Sequence, residues 1–121
     1  MDNLGSYAQT EVAGMSEAEL ESRALIKTAS ALNKVKENWP EDKEELQQAL
    51  DKNRRLWSVL AAAMREDDCP QPAEVKQNIL NLASFIFQRT LDVSAHPAPE
   101  KLDILININM NIARGLSGKA E

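Results

Sequence analysis

At 121 residues the chain is the size of one ordinary domain, too short for an enzyme with separate cofactor and substrate lobes. With 43% hydrophobic and 27% charged residues it is not a wholly disordered polypeptide, and it has the apolar content to build a core. The net charge is −5; residues 1–51 carry 5 basic and 11 acidic side chains and residues 52–121 carry 9 and 8, so neither half has the cation density that binding to DNA or RNA phosphates draws on.

The longest charge-free stretch, Gln77 to Gln88, falls short of the roughly 20 apolar residues that span a bilayer. The opening residues lack the basic-then-apolar pattern of a leader. The single cysteine, Cys69, can neither close a disulfide within the chain nor furnish a multi-thiolate zinc site. Together these features predict a cytoplasmic protein with no membrane segment.

Apolar residues recur at helical spacing in four segments, each bounded by proline, glycine or a polar cluster. Residues 1–14, with Leu4, Tyr7, Ala8 and Val12, read as an arm or a short amphipathic helix. A capping box of Ser16 and Glu19 starts the first long helix, whose stripe is Leu20, Ala24, Thr28, Ala31, Leu32 and Val35 with Leu25 at its margin, ending near Glu37. The second starts at about Pro40, with Glu41, Asp42, Glu44 and Glu45 at the positive end of its dipole, and runs to about Arg65. Its stripe is Leu46, Ala49, Leu50, Asn53, Leu56, Trp57, Leu60, Ala61 and Met64.

Cys69-Pro70-Gln71-Pro72 is a connector, and the third helix spans about 72–91 with Val75, Ile79, Leu82, Ala83 and Ile86 on its main face. The segment from Ser94 to Pro99 breaks the pattern again. Leu102, Leu105, Ile106, Asn109, Ile112, Ala113 and Leu116 then fit a fourth helix ending near Gly115. Ile106 to Ile112 also alternates as a half-buried strand would, but Asn is depleted in strands and no partner strand exists. The fold expected is all-α: a compact up-down four-helix bundle over residues 15–118, with or without a short fifth helix at the N-terminus, and a tail at 119–121.

Groups suited to catalysis are few. The one histidine, His96, lies in a proline-rich connector; paired Glu-x-x-His repeats for a di-iron site are missing; the glycines form no phosphate-binding pattern; and Asp67 and Asp68 beside Cys69 disfavour its thiolate. No enzyme, metal or cofactor is expected. Asn53 and Asn109 sit inside apolar stripes, where an unpaired amide costs about 1–3 kcal/mol, so they should bond to each other or to backbone across the bundle and fix its register. With Trp57, Ile79, Leu82, Ile86, Leu105 and Ile112 they make the expected core. Ile26, Val59, Leu80, Phe87 and Ile104 fall off the main faces, which means either a third helix buried nearly all round or an apolar groove for a partner. Self-association is a further way to cover it.

The run Asn53-Arg54-Arg55-Leu56-Trp57 resembles the N-R-x-L-W signature of the bacterial flagellar biosynthesis regulator FlaF family. Tyr7-Ala8-Gln9, Glu19-Leu20-Glu21 with Ala24-Leu25, Pro70-x-Pro72, Gln77-Asn78-Ile79 and Pro99-Glu100-Lys101-Leu102-Asp103 follow the family's order. So do Leu82, Phe85, Arg89 and Thr90, and later Leu105-Ile106, Ile108-Asn109, Ile112-Ala113 and Gly115-Leu116. Met110, Gln71 and Cys69 depart from the pattern, where a basic residue, leucine and a polar residue are usual.

The resemblance implies a non-enzymatic flagellar assembly factor that binds the terminal helical segments of flagellin as a secretion chaperone or positive regulator of flagellin synthesis, with FlbT as a second candidate partner. Leu80, Phe87 and Ile104 would line the groove, with Arg54 and Arg55 on its rim. The alternative is an RNA-linked regulator of flagellin message using Lys52, Arg54, Arg55 and Arg89, a reading that the acidic composition disfavours.

Overall fold

The computed structural model describes residues 17–39 and 43–117, and among these it contains four α-helices and no strand. They are α1 (Glu17–Glu37), α2 (Lys43–Met64), α3 (Ala73–Ala95) and α4 (Leu102–Leu116), with a 3-10 turn at Pro99–Lys101 leading into α4. The Ser16 cap, the Pro40 start of the second helix, the Leu4–Val12 turn and the tail lie outside the described residues. The alternating Ile106–Ile112 run is helical, as the longer pattern around it required.

Local chemistry accounts for the helix ends. Glu17 and Glu19 open α1 while Lys34 and Lys36 close it, each sign matching the dipole at its end. Pro72 stands just outside α3 with extended backbone, and its carbonyl accepts the Lys76 N–H at 3.0 Å. The sequence pattern placed the end of α3 near residue 91, but the helix continues to Ala95. Its buried line of Ile79, Ala83, Ile86, Thr90 and Val93 runs on at helical spacing, and the stop comes only at His96 (φ −136, ψ 74), where the following Pro97 disfavours helical backbone.

Four tie points give the topology. Ser22 Oγ donates to the Ala113 carbonyl at 2.8 Å, and Lys36 pairs with Asp103, so α1 and α4 run antiparallel. Ser94 meets Gln47 where α3 ends and α2 begins, and Lys101 reaches back to Asp92 from the start of α4. The chain is therefore an up-down-up-down bundle. α1 packs most extensively against α4, α2 packs against both α1 and α3, and α3 approaches α4 least.

This unequal packing corrects two expectations. The buried line of α1 is Ser22, Leu25, Ala29, Leu32 and Val35, so Leu25 is central and fully buried, while Leu20, Ala24, Thr28 and Ala31 are only half-buried. Helix periodicity weighs apolar residues alone and cannot register that α4 draws the seam around toward Ser22, whose hydroxyl finds a carbonyl there. Nor is α3 wedged centrally: it buries one stripe, and Phe85 and Leu91 on its other sides are exposed.

Trp57, Leu32, Leu50, Leu60, Ile79, Ile86, Leu102 and Leu105 are fully buried with Leu25. Each contributes about 1.5–3 kcal/mol by leaving water.

Inside this core lies a polar cluster centred on Asn109. The Trp57 indole N–H donates to Asn109 Oδ1 at 2.9 Å. Asn109 Nδ2 donates to Asn53 Oδ1 at 2.7 Å and to the Thr28 hydroxyl at 2.9 Å. Thr28 in turn donates to the carbonyls of Ala24 and Leu25, at 3.1 and 3.0 Å. An indole can only donate, so it fixes which face of the Asn109 amide is oxygen. That choice turns the Asn53 oxygen inward and leaves Asn53 Nδ2 buried without a partner.

The two asparagines should therefore differ in weight. Asn109→Leu strands both the Trp57 N–H and the Asn53 oxygen and should cost about 1–3 kcal/mol for each. Asn53→Leu removes the orphaned amide and leaves Asn109 its bond to Thr28, so its cost should stay below about 1 kcal/mol; urea unfolding of both variants measures the order. A Cβ on Gly115, in the last turn of α4, would meet nothing within 4 Å, so Gly115→Ala should raise stability by up to about 1 kcal/mol in the same assay.

Candidate protein-binding surface

Ser94 and Asp92 establish which flank of α3 is which. Ser94, facing Gln47 of α2, lies seven residues beyond Phe87 and fourteen beyond Leu80, so these three share the flank toward α2. Asp92, facing Lys101 of the 3-10 turn that leads into α4, lies seven beyond Phe85, so Phe85 is on the flank toward α4. On α4, Ile104, Ile108 and Ile112 follow one another at helical spacing, continuing the line of Lys101 just ahead of the helix, which puts them on the side toward α3.

The α3/α4 seam is thus the least closely packed of the neighbouring helix pairs and carries exposed large apolar side chains on both rims, Phe85 at 37% and Ile104 at 38% exposure. Leu82, Ile108 and Ile112 are half-buried against the core between them. The Arg89 guanidinium lies over the Phe85 ring, 5.5 Å from its centroid, a cation–π contact that stiffens the α3 rim. One end is clasped: Lys101 Nζ pairs with Asp92 at 3.0 Å and donates to the His96 carbonyl at 2.7 Å.

The five residues expected to bind a partner do not converge. Ile104 is on this seam. Leu80 and Phe87 lie on the other flank of α3 and are half-buried, packed against the core. Arg54 and Arg55 are exposed on α2, away from Ile104. Of the expected core, Asn53, Trp57, Ile79, Ile86, Leu105 and Asn109 are fully buried, whereas Leu82 and Ile112 are half-buried because both face the seam. Phe85 and Leu91 were missed as exposed apolar residues; Phe85 sits six residues from Ile79, about 120° off the main face, a displacement that a wheel of α3 alone could have shown.

The cations invoked for RNA are also dispersed. Lys52 lines a hollow between α1 and α2 with Lys34, Glu44, Glu45 and Gln48, while Arg54 lies about 200° around α2 from it and Arg89 is on α3. A second hollow collects Glu17, Glu21, Glu66, Asp68 and the half-buried Cys69, whose thiol lies 4.0 Å from Met64 Sδ. Burial, reinforced by the neighbouring Glu17 charge, pushes the Glu21 carboxyl above the ordinary glutamate value. Among the described residues no group of three or more His, Cys, Asp or Glu side chains is arranged to hold a metal, and no helix is long and apolar enough to cross a membrane.

The clasp gives a pH signature. The hydrogen bond from Lys101, with its charge and those of Arg89 and His96 adding to it, holds the Asp92 carboxyl below its ordinary value of 3.8 against a smaller opposing effect of burial. A carboxyl lowered in the folded state stabilises above its unfolded pKa and loses that contribution as pH falls through the folded one. Lys101→Met should therefore lower stability at neutral pH, and the gap from the wild type should close as pH falls below the ordinary aspartate value, read by thermal unfolding across a pH series.

Comparison with curated proteins and with solved structures finds no match. The model of the family described as flagellar protein FlaF matches residues 4–116, nearly the whole chain and every helix that forms the seam. This chain belongs to the FlaF family of flagellar proteins.

Proposed function

We propose that this protein is a non-enzymatic flagellar assembly factor that binds an amphipathic terminal segment of flagellin along the α3/α4 seam, as a secretion chaperone and positive regulator. One observation carries the reading: two exposed large apolar side chains, Phe85 and Ile104, flank the least closely packed of the neighbouring helix pairs. Scattered exposed apolar residues are ordinary, but two on opposite rims of one seam, with half-buried Leu82, Ile108 and Ile112 along it, give an amphipathic helix a strip to cover. Flagellin's terminal segments are of that amphipathic kind and would self-associate if left free, so a passive apolar clamp meets the chemical need without any catalytic group.

The test is binding of flagellin terminal segments to the full chain, with FlbT scored by mass in the same co-purification. Phe85→Asp with Ile104→Asp should weaken flagellin binding by at least about tenfold with unchanged helicity, since each residue can add a kcal/mol or more of apolar burial. Val59→Asp, on an exposed site of α2 away from the seam, should leave binding as it was. Equal binding by all three proteins would sink the assignment.

A further inference from the structure

Charge is spread unevenly over this acidic chain. Residues 47–65, in and just beyond α2, and residues 76–91 of α3 together carry six cations and one acid, Asp51, leaving 8 basic and 18 acidic side chains for the rest. Lys52 and Arg89 among the six point to other sides of their helices. The remaining four, Arg54, Arg55, Arg65 and Lys76, belong to the face that α2 and α3 share. Gln47 and Ser94 meet there, and the two helices rise equally per residue in opposite directions. Arg54, seven residues beyond Gln47, is therefore level with Phe87, seven before Ser94, and shares Gln47's flank toward α3. Lys76, five turns before Ser94, shares the flank of Ser94 toward α2.

None of these four cations forms an ion pair with a described residue. The one acid nearby, Asp51, takes a hydrogen bond from the Gln47 amide at 3.2 Å. Beside the cations runs an apolar line on α3. Leu80, Phe87 and Leu91, at spacings of seven and four, share one side of the helix over about 16 Å. Leu80 and Phe87 are half-buried against the core, and Leu91, at 71% exposure, is the most exposed large hydrophobic residue among those described. A partner that covers this line must bring apolar side chains at helical spacing and negative charge next to them.

We infer that the α2/α3 face is a second docking surface, which takes an acidic amphipathic helix of another polypeptide, its apolar side chains on Leu80, Phe87 and Leu91 and its carboxylates on Arg54 and Arg55. This face lies on the opposite flank of α3 from Phe85, so it stands whether or not the α3/α4 seam holds flagellin. An RNA would be drawn by the same cations but offers no aliphatic side chain for Leu91, and its bases stack on open aromatic rings, whereas Phe87 is half-buried.

Fluorescence anisotropy tests this with the full chain and a labelled synthetic amphipathic helix of about four turns, leucines on one face and glutamates beside them. The chain should bind it at least about tenfold more tightly than the same peptide with glutamine in place of glutamate. Arg54→Glu with Arg55→Glu should remove that preference. Leu91→Gln, at unchanged helicity, should weaken binding about threefold or more, which charge attraction alone does not give. Phe85→Ser with Ile104→Ser, on the seam, should leave the affinity within about twofold. Equal affinity for the two peptides would overturn the assignment, as would loss of binding in the seam variant with the Arg54, Arg55 and Leu91 variants unaffected; the second result leaves a helix site at the seam. Binding that Leu91→Gln leaves unmoved also overturns it, and displacement of the peptide by a single-stranded RNA would then mark the face as a nucleic-acid surface.

Discussion

The amide of Asn109 is the point on which the bundle is registered. It takes a hydrogen from Trp57 and gives two, to Asn53 and Thr28, so three of the four helices meet at one side chain. Net, each such bond is worth only about 1 kcal/mol. A slip of any of these helices by one turn would instead leave several buried donors and acceptors unpaired at once, and that penalty falls only on wrong arrangements. The cluster therefore selects a packing more than it strengthens one. The residual cost is visible in the unpaired Asn53 nitrogen, which the donor-only indole forces on its neighbours.

Helix α3 takes no part in this cluster. Its buried Thr90 bonds to its own helix at the Ile86 carbonyl, and its hold on the rest is an apolar stripe with polar ties near its C-terminal end, to Gln47 and Lys101. Apolar contacts tolerate sliding and repacking that a hydrogen-bonded cluster does not. The bundle thus divides into a registered unit of α1, α2 and α4 and a more permissive fourth helix, and the seam with exposed apolar rims lies along that division. A surface that must adapt to a partner helix is better built there than between α1 and α4, where Ser22, Thr28 and Asn109 fix the spacing.

The sequence made the helices legible because each was bounded by a proline-bearing or polar stop and carried a stripe of period 3.6. It also located Asn53 and Asn109 as a pair, since an amide in the middle of an apolar stripe demands a partner. What it could not reveal was the choice of neighbour. Leu25 was placed at a margin and Leu80 with Phe87 in a groove because a wheel ranks residues about one helix axis, whereas burial depends on which helix lies opposite. The α1–α4 pairing joins residues 67 to 91 positions apart, and no local pattern encodes it. The seam followed only after Asp92 and Ser94 had assigned the two flanks of α3. The flagellar relationship was legible in short blocks spread along the chain, and the α3/α4 seam was not, because those blocks coincide mainly with core and register positions.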